Sequence, residues 1–119
     1  MLQNPVRTVK WTFLTNHAHV LICVARDPGV RLRDVAARVG ITERATQGII
    51  GDLVEAGYVD RTRVGRRNHY SVREDLPLRH PLEWQHNIGD LLELLSVEVG
   101  SHGTVGRRDD AAPGAPDAE

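Results

Sequence analysis

Two stretches with helical periodicity, "LRDVAARV" and "ERATQGIIGDLVEAG", follow one another over residues 32–57 with only Gly40, Ile41 and Thr42 between them. A connection that short keeps the second helix on the first and turns the chain sharply. Each residue of the connection suits its place. Gly40 can take the left-handed conformation that ends a helix, and Thr42 can cap the next one. Gly57 supplies the C-terminal stop. At roughly 100° per residue, Thr46, Ile49, Ile50, Leu53 and Gly57 share one face of the longer helix and are expected in the core. Arg44, Gln47, Gly48, Gly51 and Glu55 fall opposite and must look outward. In the shorter helix Val35, Ala36 and Val39 face inward.

The flanking chain supplies further elements. Residues 1–13 read as an irregular arm. "TNHAHVLICVARDPG" reads as a helix capped by Thr15 or Asn16 and stopped by Asp27-Pro28-Gly29, with Leu21, Val24 and Ala25 inward beside Leu14 and Ala18. Val30-Arg31-Leu32 is expected to form one brief strand. "YVDRTR" and "RNHYSV" read as a hairpin around Val64-Gly65, with Tyr70 and Val72 packing inward. Leu76-Pro77 and His80-Pro81 punctuate a linker. "LEWQHNIGDLLELLSVEV" is then predicted as a single amphipathic helix. Along it Trp84, Ile88, Leu91, Leu92, Leu95 and Val99 make an apolar stripe at helical spacing, with Asp90, Glu93 and Glu98 on the wet side. From Gly100 onward Gly, Pro, Ala and Asp dominate, the composition of a disordered acidic tail.

Totals exclude several classes. At 119 residues the chain is one small domain with an extension, and with 4% aromatics its core must be aliphatic. A lone cysteine, Cys23, makes neither an internal disulfide nor a Cys-rich zinc site, and is expected as a small buried hydrophobe. No apolar run approaches the ~18 residues of a membrane span, and the start lacks a signal-peptide core. The expectation is a soluble cytoplasmic protein. His17 and His19 point to different helix faces, so they and His80 and His86 are expected at caps and surfaces, with no metal site and no cofactor. Ser71, Ser96 and Ser101 lie in no nucleophile motif, and no enzyme is expected. Charge is uneven. Residues 1–73 hold 12 Lys+Arg against 6 Asp+Glu, whereas residues 74–119 hold 3 against 10. A basic module of this size points to nucleic acid. Its densest stretch is "RTRVGRRNHY", with Arg61, Arg63, Arg66 and Arg67 along and at the tip of the hairpin.

Helix, strand, helix, three-residue turn, helix, hairpin is the order of a winged helix-turn-helix, an α+β fold that is mostly α. Residues 32–72, "LRDVAARVGITERATQGIIGDLVEAGYVDRTRVGRRNHYSV", resemble the DNA-binding core of small bacterial MarR- and ArsR-type regulators. "VAARVGIT" is similar to that core's second helix and turn, and "DLVEAGYVDR" to the end of its recognition helix entering the wing. The resemblance implies a transcriptional regulator with double-stranded DNA as partner, and a C-terminal helix that dimerises. Two copies would then read a pseudo-palindromic site. Thr42 and Glu43 would meet base edges at the helix start. Arg44 can fork onto guanine and Gln47 onto adenine, while Glu43 can accept from cytosine or simply suit the helix N-terminus. Gly48 lets the backbone approach the duplex, or else marks modest base reading, and Gly51 raises the same pair of readings. Arg61, Arg63, Arg66 and Arg67 would neutralise phosphates or enter a minor groove, with Asn68 adding a hydrogen bond. The dimer interface is expected at Trp84, Ile88, Leu91, Leu92, Leu95 and Val99, helped by Trp11 and Phe13. The organisation predicted is an arm (1–13), a DNA-binding domain (14–76), a linker with dimerisation helix (77–99) and a tail (100–119). Two other readings stay open: a protein-interaction module, and a ligand- or metal-gated sensor. The Cys-x-Cys pair frequent in ArsR-type metal sensors is missing here, and the resemblance names no small-molecule effector.

Overall fold

A computed structural model describes residues 9–95 and 97 of the chain. Its elements run α1 (Asn16–Arg26), α2 (Leu32–Val39), α3 (Glu43–Glu55), β1 (Val59–Val64), β2 (Arg67–Val72), a short 3-10 turn (Pro81–Glu83) and α4 (Ile88–Leu94). The fold is the expected winged helix-turn-helix, mostly α. Local chemistry sets the helix ends. The Thr15 hydroxyl accepts from the Ala18 amide and the Thr42 hydroxyl from the Ala45 amide, each satisfying an N-terminal donor. Gly40 closes α2 at φ 90°, a left-handed conformation in which its N–H donates to the Ala36 carbonyl.

The three helices bury one aliphatic core. Val20, Leu21, Cys23, Val24 and Ala25 from α1 meet Val35 and Ala36 from α2, and Thr46, Ile50 and Leu53 from α3. Thr46 is polar yet fully buried, and its hydroxyl donates to the Thr42 carbonyl, so the burial leaves no unmet donor. β1 and β2 pair antiparallel, Val59 opposite Val72, Arg61 opposite Tyr70 and Val64 opposite Arg67, which leaves Gly65-Arg66 as a two-residue turn. Gly65 takes φ 64° there, as such hairpin turns require. Val59 and Tyr70 reach the core while the rest of β1 is exposed, so the ribbon is rooted at its base.

The expected strand at 30–32 does not form. The Asp27 carbonyl accepts from the Val30 amide and its carboxylate from the Gly29 amide, so a turn uses up the segment and Leu32 already begins α2. One backbone bond survives of a third strand, from the Tyr70 amide to the Pro28 carbonyl.

The long C-terminal helix is also corrected. It breaks at Asn87, whose side chain accepts from the Asp90 amide while the Asp90 carboxylate accepts from the Asn87 amide. This capping box restarts the chain as a separate α4. Trp84 therefore lies before the helix, at the end of the 3-10 turn, with its indole N–H on the Arg79 carbonyl. The stripe itself folds inward. Ile88 and Leu92 join the same core cluster as α1 to α3, together with Val97 just beyond the helix. Antiparallel backbone bonds hold it there, from the Ile88 amide to the Leu76 carbonyl and from the Gly89 amide to the Glu74 carbonyl. A Cβ at Gly89 would stand 3.2 Å from the Glu74 carbonyl oxygen, so the chain after β2 and the helix approach closely at this glycine. Val99, Glu98 and the tail lie outside the described residues. Among the described residues no helix is long and apolar enough to cross a membrane.

Leu92→Ala should then destabilise the whole domain by about 2–5 kcal/mol, the range for an emptied core leucine. Leu94→Ala, at a position 77% exposed, should shift stability by less than about 0.5 kcal/mol. Urea denaturation followed by circular dichroism separates the two. Equal, small effects would contradict the burial of the stripe.

Candidate nucleic-acid interface

The outward face of α3 is bare. Arg44, Gln47, Gly48 and Glu55 are exposed and Gly51 is half-exposed, while Thr46, Ile50 and Leu53 fill the core behind them. A Cβ built on Gly48 or Gly51 would meet nothing within 4 Å. Neither glycine is required by packing or by turn geometry, and each lowers helix propensity by about 1 kcal/mol relative to alanine. The stripe they make is flat backbone flanked by Arg44 and Gln47. Side chains at the helix start, Thr42 and Glu43, are exposed as expected, although the Thr42 hydroxyl is already engaged as the cap.

The wing presents cations with few internal partners. Arg61 and Arg63 stand opposite Tyr70 and Asn68, and directly opposed residues share a face of the ribbon. Arg66 sits in the exposed turn. Among the described residues, Arg73 is the arginine that reaches a carboxylate, with its Nε 3.1 Å from Asp60. Arg61, Arg63 and Arg66 have no carboxylate partner there. Arg67 differs from its neighbours. Its guanidinium donates to the Gly29 carbonyl, tying the root of β2 to the loop between α1 and α2. The sequence grouped all four arginines as free cations, and this one is partly an anchor.

Between the wing and the helices lies a cleft of about 530 Å³. Arg31 and Arg33 at the start of α2, Arg66, Arg67 and Asn68 of the wing, and Glu43 of α3 line it. Reading the sequence missed Arg31 and Arg33, because the fold brings them within one cleft of residues more than 30 positions away. Their only local signal was the basic spacing around a helix start. No side chain caps α2; the Asp34 and Val35 amides turn back onto the Arg31 carbonyl, and Asp34 puts a carboxylate in the first turn.

The remaining candidates take structural roles. His17 Nε2 lies 2.8 Å from Asp52 Oδ2, joining α1 to α3 at the surface. His19 pairs with Asn16, His86 with Asp90, and His80 caps the 3-10 turn. Among the described residues no group of three or more His, Cys, Asp or Glu is placed to hold a metal ion. Cys23 is buried, and that burial pushes its thiol pKa up, against an opposing pull from Arg38 and Arg26. Of the six residues expected to dimerise, Ile88 and Leu92 are buried in the chain's own core and Leu91 and Leu95 are half-buried. Only Trp84 of the described five is open, at 60% exposure, joined by Leu82 and Leu94 nearby in sequence. Trp11 and Phe13 are exposed too, stacked edge to face with ring centroids 5.0 Å apart.

A family model described as MarR family matches residues 12–67, which takes in α1, α2, α3, β1 and the hairpin turn. Among solved structures, the chain is similar to the zinc-dependent MarR family transcriptional regulator AdcR in its Zn(II)-bound state. That likeness has 19% identity and a TM-score of 0.41, and covers 56% of this chain and 47% of that one. The chain thus spans about half the length of the solved regulator. No curated protein matches it.

Because open space surrounds both outward glycines of α3, Gly48→Ala and Gly51→Ala should each stabilise the free protein by up to about 1 kcal/mol. A raised urea midpoint is the expected result. A lowered midpoint would mean that the added methyl group meets something in the folded chain.

Proposed function

We propose, with the MarR-like winged helix-turn-helix of residues 12–67 as premise, that the chain is a DNA-binding transcriptional regulator acting as a homodimer. α3 enters the major groove, with Arg44 and Gln47 reading base edges and Thr42 and Glu43 at the helix start. Arg61, Arg63 and Arg66 meet the sugar–phosphate backbone or the minor groove beside it, aided by Asn68, while Arg67 mainly holds the wing in place. The observation that carries this reading is the set of exposed wing arginines without a carboxylate partner, next to the bare polar face of α3. An exposed arginine ribbon repels itself, and a polyanion relieves that repulsion.

The glycine face adds a distinctive element. With no side chain at Gly48 or Gly51, the helix backbone can sit deeper in the groove than a bulkier helix would. The substitutions that stabilise the free protein should therefore weaken binding. Opposite signs in stability and affinity would mark the glycines as functional.

Dimerisation is supported by the exposed apolar residues at the two ends of the described chain, Trp11 and Phe13 on one side and Trp84 and Leu94 on the other. Two copies would place their α3 helices about 34 Å apart, one turn of duplex, on a pseudo-palindromic site. The arm (1–13), DNA-binding unit (14–76), dimerising segment (77–99) and tail (100–119) keep these roles in the proposal, with Ile88 and Leu92 serving the core.

Retardation of duplex DNA over a salt series tests the DNA reading. Replacing Arg61, Arg63 and Arg66 with Ala should flatten log K against log salt by about 0.9 per lost phosphate contact, for random and selected duplexes alike. Arg44→Ala should instead relax base preference by about 1–3 kcal/mol at one position per half-site. A salt slope unchanged by the triple wing variant would contradict the backbone role. For the dimer, Trp84→Glu with Leu94→Glu should give monomers in sedimentation with the helical spectrum intact. Wild-type protein sedimenting as a monomer at micromolar concentration would contradict it.

A further inference from the structure

The arginine cleft and the last residues of the chain carry opposite charge. Arg31, Arg33, Arg66 and Arg67 line the cleft with one carboxylate, Glu43, which forms no ion pair with them. Asp34 adds a carboxylate in the first turn of α2. Arg67 is engaged by the Gly29 carbonyl, whereas the side chains of Arg31, Arg33 and Arg66 have no hydrogen-bond partner among the described residues. Guanidinium groups stay charged at every working pH. A concave wall concentrates their potential more than an open ribbon does. Residues 109–119, "DDAAPGAPDAE", hold Asp109, Asp110, Asp117 and Glu119 and no cation.

This acidic segment can reach the cleft. Twelve residues separate Val97, the last described residue of the core, from Asp109. A flexible chain of that length spans about 20 Å on average and about 40 Å when extended. The fold itself measures 39 × 38 × 31 Å. A tether of this kind holds the acids at a local concentration on the order of millimolar, at which weak charge pairing is enough. Two prolines and no large apolar side chain leave the segment nothing to bury, so charge is its means of contact. Carboxylates and guanidinium forks also match in shape, since each fork can donate twice to one carboxylate.

We propose that the acidic segment 109–119 occupies the arginine cleft of its own chain and restrains binding of nucleic acid there. Its carboxylates pair with Arg31, Arg33 and Arg66. That withdraws Arg66 from the wing tip and sets negative charge beside Arg61 and Arg63. A duplex must displace the segment before it meets the whole wing. Glu43, already in the cleft, repels the segment and keeps the contact weak enough to release. The contact depends on the chain alone, whereas its regulatory consequence rests on the DNA-binding reading above.

The test keeps the full chain length and neutralises the segment with Asp109→Asn, Asp110→Asn, Asp117→Asn and Glu119→Gln. In protein labelled with nitrogen-15 and free of DNA, the Arg31, Arg33 and Arg66 amide resonances should differ between wild type and this variant. A free peptide of residues 109–119, added to the variant, should move them back toward the wild-type positions. The variant should also bind random-sequence duplex severalfold more tightly at low salt. That gain should fade by about 0.3 M salt, where the screening length is about 5 Å. Arg107→Gln with Arg108→Gln, which leaves the tail more acidic, should weaken duplex binding instead. Cleft amides unmoved by both the neutralised tail and the peptide overturn the contact, and any change in affinity then reports net charge alone. Amides that move while duplex affinity stays the same in all three proteins overturn the restraint. Amides that move while no protein retards duplex keep the contact and remove the DNA reading.

Discussion

Val20, Val24 and Ala25 lie on successive turns of α1 and have no exposed surface, because α2, α3 and β2 all close on that strip. α3 packs on α1 and α2, and the wing packs on α1 through β2 and on α3 through β1, so the angle between α3 and the wing is set from behind. Small β-branched and alanine side chains on α1 let three elements approach at once, where larger ones would hold them apart. This explains how a chain with 4% aromatics builds a tight core. It also explains the wing. A two-stranded ribbon is marginal alone in water, and this one persists because Tyr70 and Val59 are sunk into the helical core at its base.

The helical half of the fold was legible because its signals are local. Thr15, Thr42, Gly40 and Gly57 mark helix ends through bonds and dihedral angles that each residue makes with its neighbours. The face of α3 followed from periodicity alone. The failures share a different cause. Val30-Arg31-Leu32 looked like a strand by composition, but the Asp27 side chain and carbonyl claimed the segment for a turn. In the C-terminal stretch the apolar stripe was real, and Ile88 and Leu92 of it serve the chain's own core. Helical spacing says which side chains share a face and is silent about what covers that face. The Asn87 and Asp90 pair was readable as a capping box and would have moved the helix start past Trp84.

The site was legible in proportion to how much of it is contiguous. The wing arginines are neighbours in sequence, and their exposure was foreseeable. That Arg67 serves as an anchor was not, since its partner is a carbonyl 38 positions away. The arginine cleft is the extreme case, assembled from three elements by the packing on α1. Three carboxylates are engaged away from the cleft, Asp52 on His17, Asp60 on Arg73 and Asp90 on His86. Glu43 is the carboxylate that lines the cleft beside its four arginines.

The segment leading to α4 is a stem closed at its base. Pro77 bridges Asn87, the Leu78 amide donates to the His86 carbonyl, and the bonds from Ile88 to Leu76 and from Gly89 to Glu74 seal it below. The Tyr58 hydroxyl fastens the stem to the body through the Pro77 carbonyl. Residues 79–85 beyond that closure are exposed and bear no part of the core. Their length is uncoupled from the placement of α4, since the closed stem fixes the helix whatever the tip contains. The tip is therefore the place where this architecture can accept an inserted peptide, a reporter or a whole second domain while α3 and the wing keep their geometry.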